Sequence, residues 1–102
     1  MTAAEKPARI VVIDDSSTDV LMLRYALQRF NQPYELEVLK DGEEALRFVD
    51  RHRRGDRSPE PCVIVLDLHL PRYGGLAVLR VIKREPALAH IHVVVLTTLA
   101  TP

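Results

Sequence analysis

The stretch Ile10-Val11-Val12-Ile13-Asp14-Asp15 is a short β-branched run that ends in two acidic residues. A second run, Cys62-Val63-Ile64-Val65-Leu66-Asp67, has the same form. Short apolar runs of this kind are typical of buried parallel strands, and ligands bind at the carboxyl edge of such sheets. We therefore expect Asp14, Asp15 and Asp67 to meet at one edge of a sheet.

Three carboxylates at one edge would repel one another. Two unit charges about 4 Å apart repel by roughly 4 kcal/mol at an effective dielectric near 20. A hard divalent cation that prefers oxygen ligands removes this repulsion, so the sequence predicts a Mg²⁺ site at Asp14, Asp15 and Asp67. If the strand pleat continues to its end, Asp14 and Asp15 point to opposite sides, and only one of them contacts the cation directly.

The rest of the chain alternates strands with helices. Strands are predicted at residues 9–13, 34–39, 62–66 and 92–96. Helices are predicted from a cap at Ser16 or Ser17 to about residue 30, from a cap at Asp41 to about residue 52, and over residues 75–84. This order favours an α/β fold with a flavodoxin-like, doubly wound parallel sheet of strand order 2-1-3-4.

Helical spacing predicts which apolar side chains face the sheet. They are Val20, Leu23, Leu27 and Phe30 in the first helix, and Leu76, Leu79 and Ile82 in the third. Cys62, the single cysteine, is expected to be a reduced packing residue at the start of a strand. The glutamates of residues 34–39 indicate an edge strand that is partly in contact with water.

The length of 102 residues predicts one domain, at residues 9–102, after a disordered tail at residues 1–8. The loop at residues 54–61 is expected to be the least ordered segment. The 14 basic and 14 acidic side chains cancel, so no surface for nucleic acid or an anionic membrane is predicted. No apolar stretch is long enough to span a membrane or to form a signal peptide core, and we expect a cytoplasmic protein.

Four motifs in this order resemble the receiver domain of two-component response regulators. They are Ile-Asp-Asp at 13–15, Leu-Asp-Leu-His-Leu-Pro at 66–71, Gly75, and Val-Leu-Thr-Thr at 95–98. The resemblance covers residues 9–98. Residues 67–98 are most similar to stand-alone receivers that serve sensor kinases, including those of phytochromes. The resemblance implies a signalling domain and not an enzyme in the usual sense.

The resemblance implies that Asp67 accepts a phosphoryl group from a sensor histidine kinase and becomes an acyl phosphate. It implies that Asp15 binds Mg²⁺ directly and that Asp14 acts through a coordinated water. The backbone carbonyl of His69 would be a further ligand. Independently of the family, a carboxylate is a competent nucleophile toward phosphorus when a metal neutralises the charge that develops.

Two threonines complete the site that the resemblance implies. Thr97 matches the hydroxyl residue that hydrogen-bonds the phosphoryl group and moves on activation, and Thr98 matches the small residue beside it. A threonine at a strand end offers an O–H donor and is small enough to adopt two rotamers, which suits a switch. Output is expected through a downstream protein partner.

The chain departs from the family pattern at its end. The resemblance implies a fifth strand, last helices and a lysine that pairs with the phosphoryl group, and we expect residues 1–102 to lack them. Loss of such a donor typically costs about 10² to 10³ in rate. An exposed fourth strand is a template for pairing, so we expect a homodimer through this edge, a segment swap, or a fragment of a longer chain.

Two other functions are compatible with the same residues. A degenerate receiver would bind partners without being phosphorylated, as the missing lysine suggests. A hydrolase of the aspartyl-phosphate phosphatase kind also places a nucleophilic Asp after a parallel strand. That class usually carries a second Asp two residues later, where this chain has His69, so the phosphoacceptor function is favoured.

Overall fold

Four parallel strands form the centre of the structure, a computed structural model that describes residues 7–55 and 60–96. The strands are β1 (Ala8–Ile13), β2 (Tyr34–Leu39), β3 (Val63–Asp67) and β4 (His92–Leu96). They pair in the order β2-β1-β3-β4, which confirms the predicted flavodoxin-like sheet and places β2 at an edge.

Three helices connect the strands within the described residues: α1 (Ser17–Leu27), α2 (Gly42–Arg53) and α3 (Gly74–Arg84). The predicted caps are confirmed. Ser16 Oγ accepts the Asp19 backbone N–H at 3.2 Å, and Asp41 Oδ1 accepts the Glu44 N–H at 2.8 Å. Helix α3 ends where Glu85 becomes extended, because Pro86 disfavours helical geometry in the residue before it.

Strand β1 lies between β2 and β3, and helices cover both faces of the sheet, so β1 is buried on both faces. Val11 and Ile13 belong to the larger core cluster, which α2 and α3 complete. Ile10 and Val12 point the other way, into a smaller cluster that Leu27 of α1 completes. This alternation is the two-residue period of a strand. It also determines the face of the sheet toward which the side chain of a residue just beyond the strand end points.

The expected inward position of Phe30 is wrong, since its side chain is 65% exposed. Helix α1 ends at Leu27. The N–H groups of Arg29 and Phe30 then donate to carbonyls three residues earlier, at Ala26 and Leu27. These tighter turns break the helical spacing, so Phe30 leaves the apolar stripe.

Two further packing predictions are wrong. Leu76 is 54% exposed, because the buried side of α3 begins at Gly75 and continues through Val78 and Ile82. The other two predicted positions are confirmed, since Ile82 is buried and Leu79 packs against the core. Cys62 is exposed and lies one residue before β3 begins, where its side chain is outside the core.

Several predictions fall on residues that the structure does not describe. These are residues 1–6 of the predicted tail, residues 56–59 of the predicted loop, and both Thr97 and Thr98. Over residues 7–55 and 60–96, no helix combines the length and the apolar character needed to cross a lipid bilayer.

Candidate functional site

The carboxyl ends of β1 and β3 bring two aspartates to the same level of the sheet. Ile13 pairs with Leu66 in register, so Asp14 and Asp67 are the next residues on adjacent strands. The backbone N–H of Asp14 also donates to the Leu39 carbonyl of β2 at 2.9 Å. Pairing with β2 therefore continues to Asp14, one residue beyond the end of β1.

The side chain of Asp14 is almost fully buried, with 1% of its surface exposed. Its Oδ1 accepts the backbone N–H of Ser16 at 2.8 Å. Its Oδ2 is buried and has no hydrogen-bond partner among the described residues. A buried, unpaired carboxylate oxygen is unfavourable unless a cation or a proton lies against it.

A third carboxylate, that of Asp19, completes the group. One oxygen each of Asp14, Asp19 and Asp67 lie within 4.8 Å of one another. Asp19 is in the first turn of α1, where the Ser16 cap sets the start of the helix and the helix dipole favours a negative charge. Oxygen donors at this spacing fit a hard divalent cation, so these residues could hold one.

The pKa of Asp14 is raised from 3.8 to about 6. Burial is the largest cause, because it disfavours the charged form. The Ser16 N–H opposes this rise by stabilising the carboxylate, whereas the negative charges of Asp67 and Asp19 add to it. The site is therefore short of positive charge near neutral pH.

Asp67 is 5% exposed, and its Oδ1 accepts the backbone N–H of His69 at 3.0 Å. The loop after it is packed against the start of α3. A Cβ atom on Gly75 would lie 2.4 Å from the carbonyl oxygen of Asp67, so only glycine permits this approach. The Gly75 N–H donates to the Leu68 carbonyl at 3.1 Å and closes the turn.

The structure brings some of the predicted site residues together and leaves others apart. Asp14 and Asp67 come together as expected. Asp15 is exposed and lies outside the group of three carboxylates; together with Asp14, Arg24 and Lys40 it lines an open groove. Its assignment as a direct metal ligand stays a prediction, as does the role of the His69 carbonyl.

Asp19 was not predicted as a site residue from the sequence. In the structure its negative charge is also favourable for the first turn of α1. The available signal was its position: only three residues separate the end of β1 from the start of α1, so the first turn of α1 lies close to that strand end.

Comparison with known proteins agrees with this geometry. The chain matches the response regulator receiver domain family over residues 10–102. It is 39% identical over 92 residues to response regulator Rcp1 of Synechocystis sp., a match that covers 90% of this chain and 63% of Rcp1. The chain thus spans less than two thirds of that relative's length.

Two solved structures are also similar. The Mn²⁺-bound form of response regulator Rcp1 has a TM-score of 0.81 and 38% identity, covering 93% of this chain and 68% of that chain. The phosphorylated cyanobacterial phytochrome response regulator RcpA has a TM-score of 0.82 and 32% identity, covering 94% of this chain and 69% of that one. The strand order, the aspartates at the strand ends and these matches agree, and the chain belongs to the response regulator receiver domain family.

Proposed function

We propose that this receiver domain accepts a phosphoryl group on Asp67 from a phosphohistidine of a sensor histidine kinase. The observation that carries the proposal is the position of Asp67. Its carboxylate is buried at the end of β3, one oxygen is held by the His69 N–H, and Asp14 lies beside it with an oxygen that no described residue pairs with. The solved structure of the relative RcpA is described as phosphorylated, which supports the same chemistry here.

The transfer is a substitution at phosphorus. A carboxylate oxygen of Asp67 forms a new O–P bond, the P–N bond of the phosphohistidine breaks, and the imidazole leaves and takes up a proton. Because the His69 N–H holds Oδ1, the second oxygen of Asp67 is the candidate nucleophile. The hydrogen bond to His69 keeps the carboxylate in one orientation, which raises its effective concentration toward the donor.

We propose Mg²⁺ as the cation of this site, held by Asp14, Asp15, Asp67 and the backbone carbonyl of His69. When bound, a divalent cation neutralises the negative charge that develops on the transferring group. The fit is supported by the buried Oδ2 of Asp14, which has no partner among the described residues, and by the closeness of the Asp14 and Asp67 carboxylates, which Asp19 and not Asp15 joins in the structure. The relative Rcp1 has been solved with Mn²⁺ bound, a cation with similar oxygen-ligand preferences.

Thr97, Thr98 and the predicted partners belong to the same proposal. The hydroxyl of Thr97 would donate to the phosphoryl group, with Thr98 beside it, and output would pass to a downstream protein. A homodimer through β4 stays a prediction. Val94, Val95 and Leu96 are 37% to 49% exposed, which supports a contact there, and sedimentation at increasing concentration would detect it.

Intact-mass measurement after incubation with Mg²⁺ and acetyl phosphate tests the proposal. The wild type is expected to gain one phosphoryl adduct, and Asp67→Asn none. Asp50→Asn is the matched control, because Asp50 lies in α2 and pairs with Arg53 and Arg54 away from the site. An adduct that persists in Asp67→Asn, or no adduct on the wild type, would refute the assignment of Asp67.

A further inference from the structure

The N-terminus of α2 contacts the loop that follows Asp67, which we define as the β3–α3 loop (residues 68–73). Arg72 Nη1 of this loop donates to Glu43 Oε2 of α2 at 2.7 Å. The Gly42 N–H lies 3.5 Å from the Pro71 carbonyl oxygen. A Cβ atom on Gly42 would lie 2.7 Å from the Arg72 carbonyl oxygen, so the two backbones touch.

The same loop has an unfavourable backbone conformation. Arg72 and Tyr73 have φ angles of 56° and 60°, and Gly74 follows with 68°. Two successive residues with side chains in the left-handed region are disfavoured by contacts of their own Cβ atoms. Such conformations persist only where surrounding contacts hold them. The contacts at Arg72 come from Gly42 and Glu43 of α2.

The loop in turn orients Asp67. The His69 N–H donates to Asp67 Oδ1 at 3.0 Å, and the Leu68 carbonyl accepts the Gly75 N–H at 3.1 Å. A shift of the loop at Arg72 would move the His69 amide, which lies three residues earlier. Contacts on α2 are therefore linked to the orientation of the Asp67 carboxylate through the backbone of residues 69–72.

We propose that Gly42 and Glu43 are positioning residues for Asp67: through Pro71 and Arg72 they hold the β3–α3 loop in the conformation in which the His69 amide orients the carboxylate. The inference rests on the proposed function of Asp67 as phosphoacceptor. It assigns to α2, which supplies none of the clustered carboxylates, a role in the chemistry of the site.

Glu43 offers its own matched control. Its Oε1 pairs with Arg47 Nη2 at 2.9 Å, one helical turn later, while its Oε2 pairs with Arg72 of the loop. Both arginines are about two-thirds exposed. Removing Arg47 takes away one ion pair of Glu43 without touching the loop, whereas removing Arg72 releases the loop itself.

Amide hydrogen exchange of the metal-free protein, resolved by NMR at His69, is the first test. Glu43→Gln and Arg72→Gln are expected to speed exchange at His69 about two- to fivefold, the range that an exposed ion pair supports. Arg47→Gln is expected to leave it unchanged, and Arg72→Lys, which keeps the charge, is expected to restore most of the protection. Equal exchange in Glu43→Gln and Arg47→Gln would overturn the proposal.

The rate of phosphoryl incorporation from acetyl phosphate is the second readout. Glu43→Gln and Arg72→Gln are expected to slow it by a similar factor, and Arg47→Gln to leave it at the wild-type value. If the wild type takes up no phosphoryl group, the proposed function fails, but exchange at His69 still decides the positioning role. If the wild type reacts and Arg72→Gln reacts equally fast, the positioning role alone is refuted.

Discussion

At the residue scale, Asp14 is the side chain whose chemistry depends most on its surroundings. Burial and the charges of Asp67 and Asp19 raise its pKa to about 6 in the folded protein. In the unfolded chain its pKa returns to about 3.8. Between these values the folded state binds more protons than the unfolded state, so the free energy of unfolding falls as pH rises.

This difference predicts a pH-dependent effect of Asp14→Asn in protein freed of metal by a chelator. The stability that protonated Asp14 contributes is fully present below about pH 3.8 and is lost as pH rises through about 6. The variant should therefore gain about 1 to 3 kcal/mol relative to wild type between pH 4 and pH 7. Urea unfolding followed by circular dichroism measures the gain.

Asp19→Asn provides an internal check on that prediction. Asp19 is one of the charges that raise the pKa of Asp14, but burial is the larger cause. The wild-type loss of stability with pH should therefore become smaller in Asp19→Asn without disappearing. A pH dependence that is identical in the wild type and Asp14→Asn would contradict the assignment of this titration to Asp14.

The residues of the site differ in how well the sequence predicts them. Asp14 and Asp67 each follow a β-branched run, so the strand pattern alone places them at one edge. Asp19 lies in α1, and its distance from Asp14 and Asp67 depends on the direction in which α1 leaves the sheet. Tertiary packing sets that direction, and the spacing of residues along the sequence does not predict it.

At the scale of elements, the phase of α3 gives a direct test of the fold. Ile82 is fully buried and Leu76 is 54% exposed. Ile82→Ala should cost about 2 to 5 kcal/mol of unfolding free energy. Leu76→Ala should cost about 0.5 kcal/mol or less, the usual range for a surface substitution. Similar losses in the two variants, measured by urea unfolding, would indicate the other helix phase.

Gly75 explains why the exposure of Leu76 was not predicted. The inward stripe begins at Gly75, whose lack of a side chain lets α3 approach the backbone of Asp67 and Leu68. A glycine adds nothing to an apolar pattern, so the spacing was counted from Leu76. The existence and limits of α3 depend on local signals such as Pro86, and those were predicted well.

Gly75→Ala should accordingly affect both stability and the site. A Cβ atom there would lie 2.4 Å from the Asp67 carbonyl oxygen and from the Leu68 Cα. Relief of this overlap requires a backbone shift, at a cost of about 1 to 3 kcal/mol. We expect a lower urea midpoint and slower phosphoryl incorporation than in Leu76→Ala. Wild-type values for both would show that the α3 start can move freely.

At the scale of the whole molecule, the strand order determines where the site forms. Crossovers on both faces of a parallel sheet bring β1 and β3 together at its centre, although about fifty residues separate them in the sequence. The alternation of apolar strands and helices predicts a doubly wound parallel sheet, and the strand order 2-1-3-4 follows from its flavodoxin-like type, which the receiver resemblance implies. The same strand order brings carboxylates together at one edge of the sheet. Because this arrangement exists only in the folded state, a cation that binds there stabilises the whole domain.

That linkage predicts that a divalent cation raises the melting temperature of the whole domain. A ligand that binds only the folded state at 100 times its Kd stabilises it by about 2.7 kcal/mol. For a domain of this size the melting temperature should rise by on the order of 10 °C. Thermal unfolding in increasing Mg²⁺ or Mn²⁺ measures the increment, which should be largely lost in Asp67→Asn. Asp50→Asn, whose carboxylate pairs with arginines on α2, should keep it. Equal increments in the two variants would mean that the cation binds elsewhere, because only a site that includes Asp67 makes cation binding depend on that carboxylate.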